Sequence, residues 1–135
     1  MIKDSSNKDI SVIVKKELEP CTHEGKALTS FNFQTISEDD DLDTLSQAKA
    51  REFGISETKV VTKSPSAYYT DPWKSDQRVM TIVLETEQNV DVQKLKELDQ
   101  SEETICYFKI SIKDGAQGLI DLALREECAI DCDLY

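Results

Sequence analysis

The sequence predicts an α+β fold: a mostly antiparallel sheet of about five strands with three helices packed mainly on one face, in the order β-β-α-β-β-α-β-α. Three observations carry that reading. Apolar and polar residues alternate around Val12, Ile82 and Phe108, the period of a strand. Apolar residues recur at three- and four-residue spacing after Asp41, Asp91 and Gly115, the period of a helix. Strand-like stretches follow one another in two pairs, the first joined by a short glycine-containing turn, which favours a hairpin.

The chain opens with a polar stretch, residues 1–8, read as a flexible leader ahead of a single domain over 9–135. From Asp9 to Leu18, Ile10, Val12 and Val14 alternate with Ser11, Ile13 and Lys15, predicting a strand with one well-buried face. Pro20 ends it, Glu24-Gly25-Lys26 supplies a turn, and Ala27 to Ile36 is the returning strand, with Phe31 and Phe33 on one face. Ser37 then starts a helix by capping its free N–H groups. Glu38, Asp39, Asp40 and Asp41 lie at the positive end of its dipole, Leu42, Leu45, Ala48 and Phe53 form its apolar stripe, and Gly54 stops it.

A third strand runs from Thr58 to Lys63. Residues 64–77 hold Pro65 and Pro72 and read as an irregular loop, with Tyr68, Tyr69 and the sole tryptophan, Trp73. Arg78 to Thr86 is apolar on both faces and therefore a central strand. Asp91 caps a short helix with Val92, Leu95 and Leu98 inward, and Thr104 to Lys113 is the clearest strand. After Asp114-Gly115 a last helix turns Leu119, Ile120, Leu122 and Ala123 inward, and ends near Cys128 before a short acidic tail. The two β-β-α stretches hint at a duplication that their residues do not support.

Charge is the strongest functional signal. The 135 residues hold 27 acids and 16 bases, a net charge of −11. Residues 37–57 carry seven acids and two bases, residues 114–135 carry six and one, and residues 58–84 reverse the sign with two acids and four bases. A surface this negative repels nucleic acid and anionic membranes and attracts basic proteins. No apolar stretch approaches the ~20 residues of a membrane span. Residues 1–9 lack the apolar core of a signal peptide, so a cytoplasmic location is expected.

Motifs for catalysis are sparse. Cys21, His23, Cys128 and Cys132 give a Cys₃His set, but without the C-x₂-C knuckle, so structural cysteines are the default and no metal or other cofactor is assigned. Cys106 alternates with Phe108 and Ile110 as a small buried hydrophobe. Cys21 and His23 lack an orienting third group. Gly115-Ala116-Gln117-Gly118 sits where an anion loop would, yet fits better as a turn followed by a glycine permitting close helix–sheet packing. The spacings Glu85/Glu87 and Asp131/Asp133, and the run Asp39 to Asp43, match no complete cation site.

The expected function is thus a non-enzymatic, acidic protein–protein interaction module, of the inhibitor or immunity-factor kind, docking on a basic surface that ordinarily holds nucleic acid. Its partner-binding residues are Glu38, Asp39, Asp40, Asp41 and Asp43 in one patch and Glu126, Glu127, Asp131 and Asp133 in another. Tyr69 and Trp73 are apolar anchors, unless the loop aromatics fold back over the core edge. The alternative is a small enzyme or ligand-binding domain with a cleft beside loop 64–77. An assembly subunit is not separable from the first reading.

Overall fold

Residues of strong β pattern do form the sheet, joined by short strands that no pattern announces. The computed structural model describes residues 1–5, 9–30, 37, 39–64, 68–69, 72–74, 76, 78–131 and 134, and of Tyr68 the backbone alone. Its elements are β1 (Ile2–Asp4), β2 (Ser11–Leu18), β3 (Lys26–Thr29), α1 (Leu42–Glu52), β4 (Lys59–Lys63), β5 (Tyr68–Tyr69) and β6 (Arg78–Val79). There follow β7 (Ile82–Thr86), α2 (Val92–Leu98), β8 (Thr104–Ser111), a 3₁₀ turn (Ile112–Asp114), α3 (Gly115–Glu126) and β9 (Ala129–Ile130). The α+β class is as expected. The main sheet has seven strands rather than five and is mixed, because β1 pairs with β7, and β3 with β9, in parallel.

Strand β2 organises the sheet. Along Ser11–Glu17 one edge pairs with β8, and the opposite edge is shared: β1 takes Ser11–Ile13 and β3 takes Lys15–Leu18. The sheet therefore forks at Val14, one branch continuing through β1, β7 and β4, the other through β3 and β9. Among the described residues no strand pairs with the outer edge of β8.

One expectation is corrected here. Residues 2–4 are not a leader: Ile2 is buried in the core and β1 lies between β2 and β7. Asp4 is tolerated inside because the Val90 N–H donates to it at 2.9 Å and the Lys109 ammonium lies 2.7 Å away. Residues 6–8 lie outside the described residues. Two of the three helices share one face of the sheet, and the third covers the other. Ile13 and Val14, adjacent in β2 and so pointing to opposite faces, are 0% and 1% exposed in two separate clusters. Ile13 packs with Ala50 of α1 and Leu95 of α2, Val14 with Leu122 and Ala123 of α3. The sheet is sandwiched because β2 is apolar at both parities of its alternation.

Local chemistry sets the helix limits. Helix α1 begins at Leu42 rather than at Ser37, because Asp41 is the cap and accepts from the N–H groups of Asp43 and Thr44. Ser37 instead donates its N–H to Asp40. Gly54, at φ +76°, closes α1, with the Gly54 and Ile55 N–H groups reaching back to the Arg51 and Ala50 carbonyls. Asp91 caps α2 as expected, with Leu95 buried, whereas Leu98 stays largely exposed. In α3, Leu122 and Ala123 face the core; Ile120 lines a shallow outer groove with the exposed Leu124. A glycine is needed at 118, where an added Cβ would lie 2.8 Å from Asp114 Cβ and 3.0 Å from Ile110 Cγ2. The continuation of β3 expected over residues 31–36 lies outside the described residues. No described helix is long and apolar enough to cross a membrane.

Candidate functional site

The loop at 64–77 is where sequence and structure differ most usefully. Its described part is an arm rather than an irregular loop: Tyr68 and Tyr69 pair antiparallel with Val79 and Arg78. At the base the Ser64 N–H donates to the Thr81 carbonyl and the Thr81 N–H to Ser64 Oγ, both at 2.9 Å. Pro72, Trp73 and Lys74 form the turn at the tip. The strand expected over 78–86 breaks at Met80 and Thr81, where the arm leaves the sheet. Trp73 is 93% exposed and Tyr69 is exposed, so neither covers the core edge, and the folding-back expected of Trp73 does not occur. The Tyr68 side chain lies outside the described residues.

The first acid run lies at the root of this arm. Lys63, the last residue of β4, sits immediately before the arm, and its ammonium is 3.1 Å from Asp43 Oδ1. Asp39, Asp40 and Asp41 stand exposed just ahead of α1, and Glu38 lies outside the described residues. Asp41 is committed to the helix: the Thr44 hydroxyl (2.7 Å) and backbone N–H hold its carboxyl below the usual aspartate range. Capping thus uses one carboxylate of the run and leaves Asp39 and Asp40 on the surface. Lys63 is the residue the sequence reading missed, and the sign reversal over 58–84 was its signal.

The second acid run is dispersed into structure. Glu126 bonds to the buried ammonium of Lys16 at 2.8 Å, which lowers the Glu126 pKa and raises that of Lys16. Glu127 is the left-handed residue that ends α3, at φ +52°. Asp131 is half-buried and its N–H donates to the Leu28 carbonyl, continuing the β3–β9 pairing. Asp133 lies outside the described residues. This run follows the face covered by α3 beside β9, whereas Asp39–Asp43 adjoin β4 on the other face. The two runs do not form one surface.

The described members of the cysteine set differ in exposure. Cys21 is exposed in the β2–β3 turn with His23, Cys128 is buried, and Cys132 lies outside the described residues. Among the described residues no three His, Cys, Asp or Glu side chains converge on a metal-sized centre. Burial pushes the Cys106 and Cys128 thiols up, so at neutral pH they are thiols rather than nucleophilic thiolates. Glu85 pairs with Lys3 across the β1–β7 ladder rather than with Glu87.

Of the candidate residues Asp43 meets Lys63 at the arm's root, Asp39 and Asp40 are exposed just ahead of α1, and Tyr69 and Trp73 are exposed on the arm. Compared with known proteins, the chain matches no family model, and no curated protein sequence is significantly similar to it.

Proposed function

We propose that the protein is a cytoplasmic, non-catalytic protein-binding module that docks on a basic protein partner, in the manner of an inhibitor or immunity factor. The arm inserts Trp73 as the apolar anchor, and Asp39, Asp40 and Asp43 meet basic side chains around it. One observation carries the reading: Trp73, the single tryptophan, stands 93% exposed at the tip of a closed arm. An indole held in water loses the burial energy of a large apolar group, about 25 cal/mol per Å² of apolar surface. A partner that covers it recovers that energy, which is why tryptophan dominates binding hot spots. The acid run at the root supplies steering and register, since carboxylates on a rigid scaffold imitate the charge of phosphates.

Capture from host lysate with wild-type, Trp73→Ser and Asp39→Lys/Asp40→Lys proteins as bait tests the reading. A basic protein should be retained by the wild type, released as salt rises past a few hundred millimolar, and lost in both variants. The same proteins on all three baits would refute it. Two grooves among the described residues are lined by β8, Asp114, α3, Cys128 and Ile130, away from the arm.

A further inference from the structure

A second surface lies at the open edge of β8. Its pairing with β2 fixes which backbone groups point outward. The Ile112 N–H donates to the Ile10 carbonyl, and the register keeps Val12 opposite Ile110 and Val14 opposite Phe108. In an antiparallel ladder hydrogen-bonded and non-hydrogen-bonded pairs alternate. Ile110 and Phe108 therefore bond to β2, while the N–H and C=O of Lys109 and Ser111 point away from it. No strand among the described residues meets them.

Alongside this edge runs a groove of about 460 Å³, bounded by residues 108–111 of β8 and on the other side by Asp114 of the 3₁₀ turn and a flank of α3 bearing Gln117 and Asp121. Four successive β8 residues can share one wall only where the strand's backbone edge forms it, because alternate side chains face opposite ways. The volume is within the ~300–1,000 Å³ of sites that enclose a ligand.

We propose that this groove takes an extended, basic segment of a partner protein as an added strand of the sheet. The outward N–H and C=O groups call for a strand, and an open edge is the usual template for one. Charge selects which strand. The flank facing β8 bears Asp114, Asp121 and Arg125, and the Arg125 Nε lies 3.9 Å from Glu126 Oε1. Lys109 is already engaged by Asp4 and Asn89 on the opposite face of the sheet. Lysines on the α3-facing side of an added strand lay their stems over Phe108 and Ile110 and carry their ammonium groups to Asp114 and Asp121. A second copy of this chain brings another net charge of −11 to the same edge, so self-pairing is disfavoured. The groove shares no residue with the arm surface, and either reading survives failure of the other.

The test is fluorescence anisotropy with a labelled, end-blocked peptide of alternating lysine and threonine, and with two versions N-methylated on alternate sets of amides. The unmethylated probe should bind. Only one edge of an added strand faces β8, so one methylated version should bind as well as the parent and the other should lose at least tenfold. Ser111→Pro should lose at least as much: the backbone there, at φ −64° and ψ 134°, suits proline, whose ring removes the outward N–H. Asp121→Lys should weaken the probe about fivefold, the upper range for one exposed pair. Absence of probe binding, equal affinity for the two methylated versions, or indifference to Ser111→Pro in a variant of unchanged melting temperature would each overturn the proposal. So would a concentration-dependent dimer abolished by Ser111→Pro, which would assign the edge to a second copy.

Discussion

If the sheet is sandwiched between helices, two adjacent substitutions in β2 must both be costly. Ile13→Ala removes three buried carbons in the cluster shared with α1 and α2, and Val14→Ala removes two in the cluster shared with α3. At ~0.8 kcal/mol per buried carbon the transfer terms are about 2.4 and 1.6 kcal/mol. Neither side chain has measurable contact with water, at 0% and 1% exposure, so cavity terms add to both. The expected losses are about 3–4 kcal/mol for Ile13→Ala and about 2–3 kcal/mol for Val14→Ala. Such losses are a large part of the ~5–15 kcal/mol that holds a domain together.

Urea unfolding followed by far-UV circular dichroism measures both. Fluorescence would serve poorly, since Trp73 is as exposed in the folded chain as it would be unfolded. With helices on one face only, one of the two residues would point into solvent, and its truncation would fall within about 0.5 kcal/mol of zero. That result for either variant would refute the layered arrangement.

Three further outcomes are expected. The Tyr107 hydroxyl donates to Asp99 Oδ2 at 2.6 Å, and against the opposing effect of burial this bond and the Ser101 N–H hold the Asp99 carboxyl below its usual value. A carboxyl depressed in the folded state stabilises above its unfolded pKa of about 3.9, and that contribution is lost as pH falls through the folded value. Tyr107→Phe should cost about 1 kcal/mol in urea unfolding at pH 7 and clearly less near pH 2; an equal cost at both would contradict the coupling. Glu127→Gly relieves a left-handed backbone at φ +52° and should raise stability by up to ~1 kcal/mol in thermal unfolding, whereas a loss would show that the Glu127 side chain is needed. Gly118→Ala sets a methyl 2.8 Å from Asp114 Cβ and should destabilise by about 1–3 kcal/mol, or leave the melting temperature unmoved if α3 can shift outward freely.

Legibility followed the number of residues that share a period. Strands β2 and β8 are eight residues each, long enough for alternation to declare itself. Strands β1, β5, β6 and β9 have two or three residues, too few to define any period. Their partners are also remote: Ile2 meets Leu84, and Ala27 meets Ala129. The second buried face of β2 was present in the chain as Val12-Ile13-Val14, apolar at both parities. The start of α1 was not readable, because Ser37, Asp39, Asp40, Asp41 and Asp43 are all competent caps. Only the geometry shows that Asp41 reaches the first free N–H groups.

The same limit applies to the site. Composition marks residues 64–77 as aromatic, but whether an aromatic faces core or water depends on where distant segments lie. The Asp43–Lys63 pair, which sets the acid run beside the arm, spans twenty positions. Glu126 and Glu127, equally acidic in the sequence, differ entirely in role: one neutralises a buried lysine, the other ends a helix.

The fork at Val14 bears on how the molecule opens. Among the described strands, the branch β1-β7-β4 and the branch β3-β9 meet only through β2, and each is backed by its own cluster of side chains. Loosening of one branch need not disturb the hydrogen bonds of the other. Amide exchange should therefore resolve two cooperative units of different protection, with β2 exchanging only when both have opened. A protein of this size ordinarily unfolds as a single unit; here one strand would act as the common hinge-pin of two.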